Sequence, residues 1–395
     1  MAINNILSNI TTDDCCGCGA CVKACPTNAI NYKENKYGFL YPCIVEDKCV
    51  GCGKCVKVCP IINVNLKQGI RAYSAVSKDD KVLENSSSGG IFSHIAAAVL
   101  KQQGYVFGCT MDEKFQVRHV CIHLERDLYQ VTKSKYVQSF LGNIFNDVLD
   151  KLKENIKVLF CGTPCQVAAI NNFIDDKYKE NLLTIDVVCH GVPSQKLFNS
   201  YISFLENRRN KKLVEYTFRY KKNSHEGMLW YSSYRYEKGQ RVTVNWPEDS
   251  YNYYYMKGAT YRNSCYQCKY AQAQRAGDIT LCDYWGYEKF HKEFTRKDSV
   301  SGIIVNSQKG LQEILALVPK LKIYETSISH LVENNGCLRE PTKKDLSDGN
   351  ILELWVEKGY EFVDKQFKTK HRKQRLKYKI MRHLPKKLIY LIRRK

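Results

Sequence analysis

No stretch of the 395-residue chain approaches the roughly 18 consecutive apolar residues that a membrane-spanning helix needs. The opening residues, MAINNILSNITTDD, lack both the basic and the apolar segment of a secretory signal, so no signal peptide is expected. There is no G-x-G-x-x-G turn after a strand, no Walker A loop and no H-E-x-x-H helix. A Rossmann nicotinamide site, a P-loop and a zinc-protease site are therefore not signalled. Acidic residues are missing from the C-terminal stretch: residues 365–395 hold 14 Lys or Arg and no Asp or Glu, leaving +7 of the net +21 for the other 364 residues. The basicity belongs to the tail and says little about the rest of the chain.

Cysteine is abundant, at 19 residues, and is patterned. Cys15-x2-Cys18-x2-Cys21-x3-Cys25-Pro26 recurs 34 residues later as Cys49-x2-Cys52-x2-Cys55-x3-Cys59-Pro60. A disulfide scaffold has no reason to repeat one spacing twice, and zinc knuckles do not use a third cysteine two residues on. The doubled motif is that of a protein with two 4Fe–4S clusters, in which three close cysteines wrap one cluster and the fourth crosses to the other. The expected ligands are Cys15, Cys18, Cys21 and Cys59 for one cluster, and Cys49, Cys52, Cys55 and Cys25 for the second. Thiolates free to bind iron imply a reducing compartment, hence a cytoplasmic protein.

Pattern and punctuation predict an α/β chain, α+β overall. A small two-cluster ferredoxin-like domain (1–66) precedes a mixed-sheet α/β domain in two parts (70–150 and 151–340), then a helical, strongly basic tail (341–395). Expected strands are Ala29–Tyr32, Gly38–Tyr41, Ala72–Val76, Tyr105–Cys109, Val117–Ile122, Val158–Phe160 and Leu182–Val188. Residues 213–246, with Tyr216, Phe218, Tyr220, Trp230, Tyr234 and Tyr236, read as antiparallel strands. Expected helices are Ile91–Gln103, Pro164 toward Asn171, and Leu311–Leu321; Cys161–Cys165 reads as a turn.

Several segments carry chemistry. Ser86-Ser87-Ser88-Gly89-Gly90 opens a helix, either as an anion cradle of hydroxyls and free N–H groups or as a plain serine cap. The run Lys133-Ser134-Lys135-Tyr136 offers two cations, a hydroxyl and a ring that could neutralise a diphosphate and cover a planar group, or it is a solvated basic loop. Gly162-Thr163-Pro164-Cys165-Gln166 lies at a strand's C-terminal end, where open α/β sheets bind ligands. Thr163 and Pro164 suit the N-cap and first helical positions, and Cys165 there should have a lowered pKa. Cys265-x2-Cys268 needs two more ligands, and Cys165 and Cys189 both follow buried strands that end on one sheet edge. That quartet could hold a third cluster or zinc, with Cys161 or Cys282 as substitutes. His190 is a candidate proton donor and Asp283 a candidate hydroxyl ligand or proton relay; capping and structural roles compete with both. Cys16, Cys43, Cys109, Cys121 and Cys337 have no partner spacing and read as small buried hydrophobes. The last residues, Lys386–Lys395, interleave cations with apolar side chains, as a peripheral membrane contact or a solvated tail would. No base-stacking platform points to nucleic acid.

In order, SSSGGIFSHIAAAVL, KSKYVQSFL, VLFCGTPCQVAAI, TIDVVCHGVPS and SCYQCKYAQAQRAGDITLCDYWG resemble the beta subunit of coenzyme F420 hydrogenase/dehydrogenase. They are most similar to its bacterial relatives fused to a ferredoxin module, often tied to surface-polysaccharide synthesis. The resemblance covers residues 1 to about 340. It implies FAD bound near the serine–glycine, K-S-K-Y and G-T-P-C-Q segments, and a third iron–sulfur cluster on Cys165, Cys189, Cys265 and Cys268. It also implies electron passage from the clusters through FAD to an organic acceptor, a small molecule or a sugar-linked substrate, in exchange with a ferredoxin-like partner protein. The alternatives are a non-catalytic electron-transfer subunit and a flavin-free assembly factor for polysaccharide machinery.

Overall fold

A computed structural model describes residues 4–221, 231–295 and 299–381. The N-terminal part is built around a hairpin of β1 (Ile30–Glu34) and β2 (Leu40–Ile44), paired antiparallel with Ile30 opposite Ile44. Each cysteine motif wraps into one short helix, Ala20–Ala24 and Lys54–Lys57, and both helices begin after a glycine in the left-handed region. The polar linker that follows is short and bonded: Asn172 Nδ2 donates to the Asn63 carbonyl at 2.8 Å, and the Lys67 ammonium meets Asp278 at 2.7 Å.

The main body is an eight-stranded mixed sheet. Its strands are β3 (Arg71–Ser77), β4 (Tyr105–Met111), β5 (Val117–Ile122), β6 (Val158–Gly162), β7 (Leu182–Val187), β11 (Ile279–Asp283), β12 (Ser301–Val305) and β13 (Leu321–Thr326). They run in the order β13-β3-β12-β11-β7-β6-β4-β5. The four central strands, β11, β7, β6 and β4, are parallel and the flanks antiparallel. Successive residues feed two separate cores, as a sheet covered on both faces requires. Val106 and Leu159 pack with Ile91, Ile95 and Val99 of one helix. Phe107, Val158 and Phe160 pack with Phe145, Val148 and Val167 on the other face.

A second layer is a three-stranded meander, β8 (Leu213–Tyr220), β9 (Tyr231–Tyr236) and β10 (Arg241–Asn245), in the order β10-β9-β8. The aromatic alternation foreseen there becomes a third core, in which Phe198, Tyr201, Tyr216, Phe218 and Tyr251 pack ring against ring. Trp230 and the Lys386–Lys395 segment lie outside the described residues. The stretch ahead of them is not a loose tail. Helix Ile351–Lys370, broken at Gly359, buries Trp355, Val363 and Phe367 in this aromatic core.

Two local expectations change. Cys161 and Gly162 still belong to β6, paired with Ile185 and Asp186, because burial beside β7 extends the ladder. Leu311–Leu321 is not one helix: helix Gln308–Leu315 gives way to a short 3-10 turn at Val318–Lys320, and Leu321 opens β13. Pro319 disfavours α geometry at the preceding residue, which ends the helix. Among the described residues, no helix is long and apolar enough to cross a membrane.

Candidate functional site

The doubled motif folds with its fourth cysteine crossed over. Cys15, Cys18, Cys21 and Cys59 line one small cavity of about 20 Å³, closed by Ile6, Ile10 and Ile61. Burial pushes the Cys21 thiol up, and nearby Cys15, Cys59 and Cys55 push it further. The other set lies nearer the surface. Cys52 is exposed, Cys25 and Cys49 are half-buried, and Val50 between them is 68% exposed. Thr27 ties this set together: its hydroxyl donates to the Lys48 carbonyl at 2.7 Å and stands 3.7 Å from Cys25 Sγ.

The third set assembles from three places in the sheet. Cys165 sits one turn past β6, Cys189 two residues past β7, and Cys265 and Cys268 on a 3-10 turn after Arg262. Each of the four thiols is an electrostatic neighbour of the other three. Burial, then the adjacent thiols, push Cys265 up to about 12 and Cys268 up to about 11, so a bound cation would be needed to hold them as thiolates. Cys161 and Cys282 line the same cavity as the quartet without being electrostatic neighbours of its thiols, Cys282 donating to the Gly302 carbonyl at 3.5 Å. The lowered pKa expected of Cys165 is not found. A hydrogen bond with Cys16, burial and the Cys16 charge push it up, outweighing the helix N-terminus. Cys16, read from sequence as a mere filler, in fact lines both cysteine cavities. Among the described residues, no three His, Cys, Asp or Glu side chains converge on the position of a single metal ion.

Beside the third set opens a cavity of about 430 Å³, lined at its end by Cys165, Cys189, Cys265 and Cys268. Its walls come from the C-terminal ends of the parallel strands and from the two loops singled out in the sequence. Ser87, Ser88 and Gly90 line it with Lys133, Ser134, Lys135 and Tyr136, and with Gly162, Thr163, Pro164 and Gln166. Gly89 stands behind this wall, its N–H donating to Ser301 Oγ at 2.8 Å. The two loops are joined directly, Ser134 N–H donating to Ser87 Oγ at 2.8 Å. Helix Ile91–Lys101 starts at Gly90 with no side-chain cap, so its first N–H groups face the cavity rim. Gln166 closes a capping box, accepting from Thr163 N–H at 3.1 Å, while its amide donates to the Ser139 carbonyl.

Lys135 differs from its expected role. Its ammonium donates to the Thr132, Cys109 and Gln130 carbonyls at 2.6, 2.7 and 3.4 Å, bracing the loop against β4. Lys133, in left-handed backbone at φ 64°, remains the half-buried cation of that loop at the cavity. Tyr136 stacks on Tyr255, centroids 4.4 Å apart.

Opposite stand His190 and Asp283. Asp283 pairs with Arg219 at 2.6 Å, both nearly buried. Against the effect of burial, a hydrogen bond with Cys337 and the charges of Cys337 and Asp283 hold the His190 pKa above its ordinary value. The His190 carbonyl accepts from Thr342 Oγ1 at 2.8 Å. Burial and then Arg219 press Lys221 down to about 7, its ammonium bonded to the Ser88 and Leu83 carbonyls.

Sequence reasoning missed Arg219, Lys221, His119, Cys337, Gln138 and Arg262. Arg219 sits in β8 and Lys221 directly after it, where a buried cation is the one available signal. His119 bridges Ser139 Oγ at 2.7 Å and the Cys161 carbonyl at 2.9 Å, a contact across the sheet that no local pattern announces.

Residues 156–330 match the family described as the C terminus of the beta subunit of coenzyme F420 hydrogenase/dehydrogenase, and residues 14–62 match the 4Fe-4S dicluster domain. Among solved structures, a chain of the F420-reducing [NiFe] hydrogenase complex from Methanosarcina barkeri, studied with xenon, is 17% identical with a TM-score of 0.45. The alignment covers 78% of this chain and 93% of that one. No curated protein sequence matches.

Proposed function

Given that residues 156–330 match the coenzyme F420 hydrogenase/dehydrogenase beta-subunit family and residues 14–62 a 4Fe-4S dicluster domain, we propose that the chain is a flavin-dependent iron–sulfur oxidoreductase. The coarser statement, an iron–sulfur electron-transfer protein related to that family, needs no proposal. The observation that carries the finer reading is one cavity of about 430 Å³ in which the serine–glycine, K-S-K-Y and G-T-P-C-Q segments meet the Cys165, Cys189, Cys265, Cys268 quartet.

The four thiols that line the cavity support a third cluster there, and the serine, lysine and tyrosine side chains of its wall support FAD. When bound, FAD would supply the exchange between single electrons and a hydride. The chain's own groups then have separable tasks. The uncapped start of helix Ile91–Lys101, with Ser87, Ser88 and Lys133, binds and neutralises a diphosphate. Tyr136, fixed against Tyr255, covers a planar ring. Thr163 and Gln166 hold the turn that carries Cys165. His190 holds a proton at the cavity wall for transfer to a small or sugar-linked acceptor, and Asp283, held by Arg219, orients a hydroxyl. A role in surface-polysaccharide metabolism belongs to the same reading.

Electrons enter from a ferredoxin-like partner at the Cys25, Cys49, Cys52, Cys55 set, whose Cys52 is exposed while the cysteines of the other two sets are buried or half-buried. They pass inward by way of the Cys15 set, which touches the quartet through the Cys16–Cys165 contact. A reducing cytoplasm suits these thiols. Peripheral contact with an anionic membrane rests on helix Arg372–Met381, which carries five cations in ten residues and exposes Leu376 and Ile380 one turn apart.

Anaerobic reconstitution tests the reading. The expected product shows oxidised-flavin absorbance near about 450 nm and about twelve irons per chain, falling to about eight in Cys265→Ala. No flavin uptake sinks the flavoenzyme; about eight irons in both proteins sinks the third cluster, and zinc in that site replaces it.

A further inference from the structure

Among the described residues two arginines, Arg262 and Arg275, are fully buried, each 1% exposed. Arg275 has a carboxylate beside it, Nε lying 3.6 Å from Asp186 Oδ1. Arg262 forms no ion pair with any carboxylate among the described residues. Its guanidinium is held by neutral groups alone: the Cys15 carbonyl at 3.3 Å, Gln138 Oε1 at 3.3 Å and the Leu40 carbonyl. The rings of Tyr41 and Phe39 lie against it, centroids 4.3 and 5.1 Å away. An arginine does not discharge by losing its proton, and a buried cation without an anion is unfavourable. Some negative charge must stand near it that no carboxylate supplies.

The backbone places that charge. Cys15, whose carbonyl accepts from Arg262, is a ligand of the first cysteine set. On the other side, Cys265 N–H donates to the Arg262 carbonyl at 2.9 Å, and Arg262 N–H donates to the Val192 carbonyl at 3.0 Å, three residues past Cys189. One residue thus contacts the innermost set of the ferredoxin-like part and the turn of the third set. Gly17 leaves the room: a Cβ there, already strained at φ +67°, would collide with the Arg262 guanidinium and with Gln138. A cubane held by four thiolates is anionic, and becomes more so when it takes up an electron.

We propose that Arg262 is a positioning residue for electron transfer: its buried guanidinium is the counter-charge of the cluster on Cys15, Cys18, Cys21 and Cys59 and raises that cluster's reduction potential. This rests on the ligand assignment above. The fixed cation favours the reduced, more negative level of the cluster, so an electron arriving from the exposed set is drawn inward to the side that faces the quartet. Arg262 exchanges no proton and forms no bond to iron.

The test is an EPR-monitored redox titration of the anaerobically reconstituted full-length protein, with iron counted in each sample. Arg262→Gln is expected to keep its iron and to shift a cluster potential to more negative values, with Arg262→Lys between it and the unaltered protein. Gln138→Glu supplies the independent variant. It sets a carboxylate against an intact guanidinium, cancels its charge, and is expected to shift the same potential in the same direction. Should Arg262→Gln fail to fold, Gln138→Glu decides the question alone. Unchanged potentials in iron-replete variants overturn the role of Arg262 and leave the clusters standing. Absence of 4Fe–4S signals from the unaltered protein overturns the ligand assignment and the proposal with it.

Discussion

At the scale of single residues, His119 shows how burial decides chemistry. Its ring stacks on Phe160 at 5.3 Å, and since the Cys161 carbonyl can only accept, Nε2 carries the proton and Nδ1 accepts from Ser139. Burial presses its pKa down to about 4, so the folded protein holds it neutral. The sign follows from linkage: below pH 6.5 the unfolded chain binds a proton that the folded one refuses, so stability present at neutral pH is lost as pH falls from about 6.5 toward 4. At pH 5.5 the loss is about 1 kcal/mol. His119→Gln should therefore melt with less change between pH 7 and pH 5.5 than the unaltered protein. Equal pH sensitivity in thermal melts would show that this ring is not the group responsible. Nothing in Val117-Arg118-His119-Val120 announces this. Alternation places His119 on a buried face, but its two partners come from a distant loop and from β6.

At the scale of elements, the loop after β7 holds Cys189 against Cys265. Gly191 has φ +142°, and a Cβ there would run into the Tyr261 ring. Tyr261 in turn stands on Tyr266, whose hydroxyl accepts from Tyr261 N–H at 3.0 Å, so the ring has no room to yield. Gly191→Ala should cost about 2 kcal/mol of stability and lower the iron bound at the third set while the first two sets keep theirs. Full iron with unaltered melting would mean the loop tolerates the side chain. The elements themselves were largely legible: Val117–Ile122 appears with the bounds expected, and β6 and β7 within two residues, because period-2 burial and glycine or proline punctuation are local signals. The helix expected over Leu311–Leu321 was not, since apolar periodicity there ran on past a proline that ends it.

At the scale of the whole molecule, the two halves share contacts throughout. Tyr270 donates to the Pro60 carbonyl at 2.6 Å and Lys269 to the Ile61 carbonyl at 2.8 Å, so the second cysteine motif is pinned beside the quartet. At the other end, Phe367 is the last residue of the aromatic core, and His371 closes it against Asp348 at 2.5 Å. Deleting residues 372–395 should lower the melting temperature only slightly, through the lost packing of Arg375 on Phe367, and abolish co-sedimentation with vesicles of anionic phospholipid, each lost cation near the surface contributing about 1 kcal/mol. Binding that survives the deletion removes the tail from the membrane reading. The sequence by itself determined the two-cluster motif, the strands up to Leu182–Val187, and the segments that line the cavity, because each is written in spacing or periodicity along the chain. Only the tertiary structure decided which cysteines meet, that Lys135 is bound by carbonyls of β4 and of the chain just ahead of it, and that Arg219, His119 and Arg262 surround the site. Those depend on which strand ends share a sheet edge, and on buried charge finding its partner across space.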